Sequence, residues 1–196
     1  MTVLVVVWCL IGLTSPLVFG RWPAGLLTHR WRWPALVWAV LVFQALTFTL
    51  DLPDGLGPVL HVLTYVGAAA FLWMNRMIAG VWFVGAGALV NGVVIALNGG
   101  TLPARREAAE AAGVDHGLDF ANTAVLDDPV LPWLGDYWAW PEPLPFANTF
   151  SVGDILIVIG AFVAAWMGAE RFGRTTVRES REQDFQPPSR QAERPS

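Results

Sequence analysis

Five stretches of this chain are so apolar, and so free of charge, that a bilayer is the solvent they fit best. Residues 2–20, 34–50, 56–73, 77–97 and 151–169 each approach the ~20 residues needed to cross ~30 Å of hydrocarbon. Composition agrees: 55% of the 196 residues are hydrophobic and only 14% charged, above the apolar share of roughly 45–50% usual for soluble domains. The reading is an all-α integral membrane protein with five transmembrane helices. The first run has no basic n-region before it and no small-x-small cleavage site after it, so it reads as a span rather than a signal peptide.

All twelve basic residues are Arg, and their distribution orients the chain. Arg21, Arg30 and Arg32 lie in the first connector, Arg76 in the third, and six arginines in the tail; only Arg105 and Arg106 lie on the other side. The positive-inside rule then places the amino terminus outside and the carboxyl terminus in the cytoplasm. The connector at 21–33 interleaves its arginines with Trp22, Trp31 and Trp33, a pattern of interfacial anchoring rather than nucleic-acid binding. Residues 170–196, with mixed charges, Pro187 and Pro188 and few apolar side chains, read as a disordered cytoplasmic tail.

The outer loop, residues 98–150, carries eight acidic residues. Its stretch 103–112 (PARREAAEAA) predicts a short surface helix stopped by Gly113. The remainder combines Pro129, Pro132, Pro141, Pro143 and Pro145 with Trp133, Tyr137, Trp138 and Trp140. That many prolines argue against regular helix or central strand, and the aromatics favour headgroup level. The expectation is a Trp- and Pro-rich cap on the outer membrane surface.

Asp115, His116 and Asp119, then Asp127 and Asp128, then Asp136 invite a metal, but they lack an EF-hand register and read as solvated loop acids. The single Cys9 excludes an intramolecular disulfide or a cysteine-rich metal site. No metal and no cofactor is expected. More informative are polar residues within the apolar runs, which in membranes face the bundle interior or a cavity. Gln44 and Thr47, His61, Thr64 and Tyr65, Asn91, Asn98 and Asp154 all fall at similar depth in the outer halves of their spans. With Asp136 they form the candidate site beneath the cap: Asp154, Asp136, Asn98, Asn91, His61 and Tyr65. Each also has a structural reading. His61 and Tyr65 share a helix face and suit an interfacial hydrogen-bonding pair. Asn91 lies among Gly85, Gly87, Ala88 and Gly92 and suits interhelical packing. Ser151 and Asp154 match the S-x-x-D/E capping box, which would leave Asp154 ~5 Å deep and solvated.

Two resemblances follow from particular residues. Asn98-Gly99-Gly100 with Pro103, Leu134-Gly135-Asp136 and Phe150 to Asp154 (FSVGD) resemble an uncharacterised family of bacterial integral membrane proteins, across roughly residues 1 to 170. That resemblance implies a multi-pass bacterial plasma-membrane location and supplies no activity. Residues 150–160 also resemble the last-span motif of lipoprotein signal peptidases, with Asp154 matching one catalytic aspartate, Ser151 and Gly153 replacing the family's Asn and Ala, and Asp119-Phe120 matching its D-F. The second aspartate, expected in an N-x-x-D motif, is Val94 in Asn91-Gly92-Val93-Val94. Two carboxylates sharing a proton are needed for aspartic proteolysis, so the enzyme reading is disfavoured.

The expectation is therefore a non-enzymatic protein contacting membrane lipids and a membrane-protein partner or a second copy of itself. The alternative is a membrane enzyme acting on a lipid-linked or lipoprotein substrate at the outer leaflet.

Overall fold

A computed structural model of the chain describes residues 3–49, 53, 55–114 and 123–172. It is predominantly helical. Its long helices are α1 (Val3–Val18), α3 (Pro34–Thr49), α4 (Leu56–Met74), α5 (Val81–Leu97) and α7 (Val152–Met167), with the short helices α2 (Ala24–Leu27) and α6 (Arg106–Ala111) in the connections. Packing follows chain order from α3 to α7, but α1 packs on α7 rather than on its chain neighbour α3. α7 lies between α1 and α5, and α4 joins α5 to α3, giving the spatial sequence α1, α7, α5, α4, α3.

The helix ends are set by local chemistry. α5 starts only at Val81 because Gly80 takes φ 86, and residues 77–80, counted above with the fourth span, form the turn before it. A Cβ at Gly80 would also fall on the Gly160 carbonyl and within 2.7 Å of Ala164 N, so glycine is required there on two grounds. α4, at 19 residues, is long and apolar enough to cross a membrane; α1, α3, α5 and α7 are apolar but shorter, at 16 or 17 residues.

Among the described residues, six short strands correct the all-α expectation. β1 (Arg21–Trp22) pairs antiparallel with β6 (Glu170–Arg171), and β2 (Leu102–Pro103) pairs parallel with β3 (Thr123–Ala124). β4 (Asp136–Trp140) and β5 (Asn148–Ser151) form an antiparallel ladder with a bulge between Asp136 and Trp138. Three of the five prolines that argued against strand here, at 141, 143 and 145, fall in the connection and Pro129 and Pro132 precede β4, so no ladder donor is lost. The expected surface helix is also shorter, and it buries Ala108 and Ala109, with its C-cap Ala112, against the cap rather than lying free. β4 and β5 both contact it.

The packed core sits under this cap: Val94, Ile95 and Leu102, with Val62, Tyr65, Leu131 and Leu134 against them. Trp140 of β4 meets Trp8 of α1 edge to face at 5.8 Å. Asp51 and Asp54, between the second and third apolar runs, the loop residues Asp115, His116, Asp119 and Phe120, and the tail beyond Phe172 lie outside the described residues.

Candidate functional site

β5 runs directly into α7, and Ser151 at the junction is both strand end and N-cap. Its Oγ accepts from Asp154 N at 3.0 Å, while Asp154 Oδ2 accepts from Ser151 N at 3.1 Å, completing the capping box. This much was legible in the pattern. The sequence offered no sign of what comes next: Asn91 of α5 reaches the same pair. Asn91 Nδ2 donates to Asp154 Oδ1 at 3.1 Å, and Ser151 Oγ donates to Asn91 Oδ1 at 2.9 Å. The close approach depends on Gly153, where a Cβ would fall on Asn91 Oδ1 and within 2.7 Å of Gly87 O.

The three side chains thus form a closed set in which both Asp154 oxygens and both Asn91 amide ends are occupied. All three residues are buried. Asp154 was expected to stay solvated at that shallow depth; instead the β4–β5 ladder and α5 cover it, because the cap folds down over the helix start rather than leaving it at a water boundary.

Asp136 stands opposite Ser151 in the ladder and is 1% exposed. Its Oδ2 accepts from Thr149 Oγ1 at 2.9 Å, and its main-chain carbonyl accepts from Arg105 N at 3.0 Å. No hydrogen bond joins Asp136 to Asp154; each carboxylate has its own neutral donors. Burial, with the Asp154 charge nearby, pushes the Asp136 carboxyl up to about 7, against hydrogen bonds from Thr149 and Thr123 that hold it down.

A pH dependence follows. In the unfolded chain Asp136 ionises near its ordinary value of 3.8, while in the folded chain it keeps its proton. Stability is therefore full at acid pH and is lost as pH rises through about 7, by an amount on the order of 4 kcal/mol at ~1.4 kcal/mol per unit of displacement. Thermal unfolding of the purified protein from pH 4 to 8 checks this: Asp136→Asn should remove most of the slope, and an unchanged slope would remove the assignment.

His61 is fully buried. Its Nδ1 lies 2.6 Å from Gly100 O, and since a carbonyl only accepts, Nδ1 carries the proton. Thr64 Oγ1 lies 2.6 Å from His61 O and 3.2 Å from Gln44 Oε1, tying α4 to α3. The expected hydrogen-bonding pair of His61 and Tyr65 is instead an edge-on ring contact at 5.6 Å. Tyr65 packs on Gly92, beside Asn91. Asn98 does not line the site: as C-cap of α5 it clasps Val130 of the cap, accepting from Val130 N at 2.8 Å and donating to Val130 O at 2.9 Å.

The structure thus brings Asn91, Ser151 and Asp154 together with Asp136 and Tyr65 adjoining, and places His61 one ring further out. Ser151 and Thr149 complete the set and were not singled out as site residues. Ser151 was visible as a cap, but its donation to Asn91 spans 60 residues and leaves no local signal. Asp127 and Asp128 are exposed, and among the described residues no group of three or more His, Cys, Asp or Glu side chains is placed to hold a metal ion.

The chain matches a family of unknown function, DUF5317, over residues 29–166, a stretch that contains every site residue named above. An uncharacterized protein of Thermotoga maritima is 36% identical over 107 residues, covering 54% of this chain and 61% of that relative. The chain thus matches about three fifths of that relative's length. No solved structure matches.

Proposed function

We infer that this chain, which belongs to DUF5317, a family of unknown function, is a multi-pass protein of the bacterial plasma membrane that acts by contact rather than catalysis. Its five long helices span the bilayer, its cap faces outward, and its partners are lipids and another membrane protein.

The observation that carries this reading is an inverted pattern of burial. The most buried side chains include His61, Asn75, Asp136, Thr149 and Ser151. The most exposed include Trp38 at 70%, Leu89 at 66% and Val66 at 60%. A soluble fold hides large apolar side chains, whereas a bundle in lipid turns them outward and joins its helices through small and polar residues. Helices of 16 or 17 residues rise ~24–26 Å, a few ångströms short of the ~30 Å hydrocarbon core. Local thinning and flanking Trp and Arg accommodate that difference.

The non-enzymatic part of the reading is supported by the occupancy of Asp154, whose two oxygens are engaged by Asn91 and Ser151. The polar set then serves as a clamp holding the cap onto α5 and α7. One observation favours a membrane enzyme instead: Asp136 is a second buried carboxyl within the electrostatic reach of Asp154, as acid catalysis would require.

Topology tests the main reading. In a Cys9→Ser background, Asp128→Cys and Arg30→Cys both place a thiol at an exposed position, one in the cap and one in the first connector. The expected result is that a membrane-impermeant maleimide labels Asp128→Cys in intact cells and Arg30→Cys only after permeabilisation, with the chain resisting carbonate extraction. Equal labelling of both, or release by carbonate, would overturn it.

A further inference from the structure

The end of the bundle opposite the cap carries a second organised feature. Between α2 and α3 the chain runs through His29, Arg30, Trp31, Arg32 and Trp33, and this short connector is held from several directions. Asn75, the C-cap of α4, is buried and clasps Arg32 by its main chain: Arg32 N donates to Asn75 Oδ1 at 3.0 Å, and Asn75 Nδ2 donates to Arg32 O at 3.0 Å. The same amide donates to Phe71 O at 2.9 Å. Trp31 stacks on Phe71 with centroids 5.8 Å apart and planes 11° apart, and its indole N–H donates to Leu26 O at 3.2 Å.

The next residue is strained. Trp33 takes φ 57 immediately before Pro34, a conformation that bulky side chains avoid unless their surroundings impose it. Trp33 is nonetheless 64% exposed, so burial of its ring does not compensate. A backbone locked in a rare conformation, displaying a tryptophan beside the exposed Arg32, is a preorganised surface rather than an incidental turn.

Its charge indicates the ligand. Arg76 follows the clasping asparagine, with its guanidinium 4.6 Å over the Trp73 ring and Nη1 donating to Trp73 O at 2.9 Å. The β1–β6 pairing adds Arg21 and Arg171, with Glu170 as the acid beside them. Among the described residues the salt bridge formed is Arg105 with Glu107, in the cap, and none of the arginines at this end has a carboxylate partner among those residues. Guanidinium forks suit phosphate oxygens. The surrounding side chains are apolar and exposed, among them Leu27, Trp73 and Met77, which a free phosphate would leave in water and a lipid would cover.

We propose that the connector locked by Asn75 is a headgroup site for an anionic phospholipid of the inner leaflet. Arg30, Arg32 and Arg76 bind the phosphodiester, and Trp31 and Trp33 lie along the glycerol region. This rests on the membrane reading above and adds to it a lipid class and a place.

Native mass spectrometry of the full chain in detergent tests it, with equal amounts of phosphatidylglycerol and phosphatidylcholine of identical acyl chains. The expected result is retention of phosphatidylglycerol at least about tenfold over phosphatidylcholine, falling roughly fivefold for each of Arg32→Gln and Arg76→Gln. Asn75→Ala keeps every arginine yet should lose most of the preference, because the connector is no longer held; Trp33→Ala, which leaves the clasp intact, should weaken it as well and serves if Asn75→Ala does not fold. Equal retention of the two lipids, a preference unchanged in the glutamine variants, or one unchanged by both Asn75→Ala and Trp33→Ala would overturn the site. Displacement of the lipid by millimolar inorganic phosphate would assign it to a free anion instead. These failures leave the chain in the membrane with its topology intact, whereas failure of the membrane reading would show in the labelling experiment.

Discussion

Asn91→Ala is expected to destabilise the folded protein by about 3 kcal/mol, because it leaves the Ser151 hydroxyl and Asp154 Oδ1 buried without their partner. Neither group can turn to water, since the β4–β5 ladder and α7 enclose them. Thermal unfolding of the purified protein measures the loss, and a change below about 0.5 kcal/mol would reduce the network to the standing of a surface contact. The same experiment separates the clamp from an enzyme. If the Asn91, Ser151 and Asp154 set holds the cap down, Asp154→Asn lowers folded yield in step with Asn91→Ala. If Asp154 is a catalytic acid, the yield stays at the parental level while function is lost.

Gly153→Ala should have an effect of similar size by a different route. The added Cβ falls on Asn91 Oδ1 and within 2.7 Å of the Gly87 carbonyl, and a backbone atom cannot move aside as a side-chain tip can. α5 and α7 must separate, which overpacking makes unfavourable by about 1–3 kcal/mol before the loss of the Asn91 hydrogen bonds is added. Gly85→Ala is the control: on the same helix as Asn91, its Cβ meets open space. It should be neutral, or stabilise by up to ~1 kcal/mol through helix propensity. Equal behaviour of the two variants in unfolding temperature would show that close approach of α5 and α7 at Gly153 is not required.

The helices were legible because their signal is local. A run without charge, ended by glycine or asparagine, is a property of neighbouring residues, and α4 begins and ends within a residue of its expected limits. The capping box was legible for the same reason: Ser151 and Asp154 are three residues apart, and the hydrogen bonds they make follow from helix geometry. The cap was not. Its prolines pointed away from strands, yet they fall before β4 or in the connection between β4 and β5, and the ladder forms from the residues between. Proline content describes a segment, whereas register describes which residues face each other across it.

The candidate residues divide along the same line. Asp154 and Asn91 were each visible as polar groups in apolar runs, but their contact spans 63 residues and depends on the close packing of α7 against α5. Asp136 was one loop acid among eight, and only its register opposite Ser151 buries it. Asn75 carries no local signal of its clasp on Arg32, which spans 43 residues.

The sequence by itself determined the helices, their polar punctuation and the gathering of arginine at one end and carboxylates at the other, because hydropathy, capping and charge are carried by each residue and its near neighbours. Tertiary structure alone decided which polar groups meet, which carboxyls lose their water, and which connector is locked. Those outcomes depend on helix order and strand register, and both are set by packing between segments far apart in the chain.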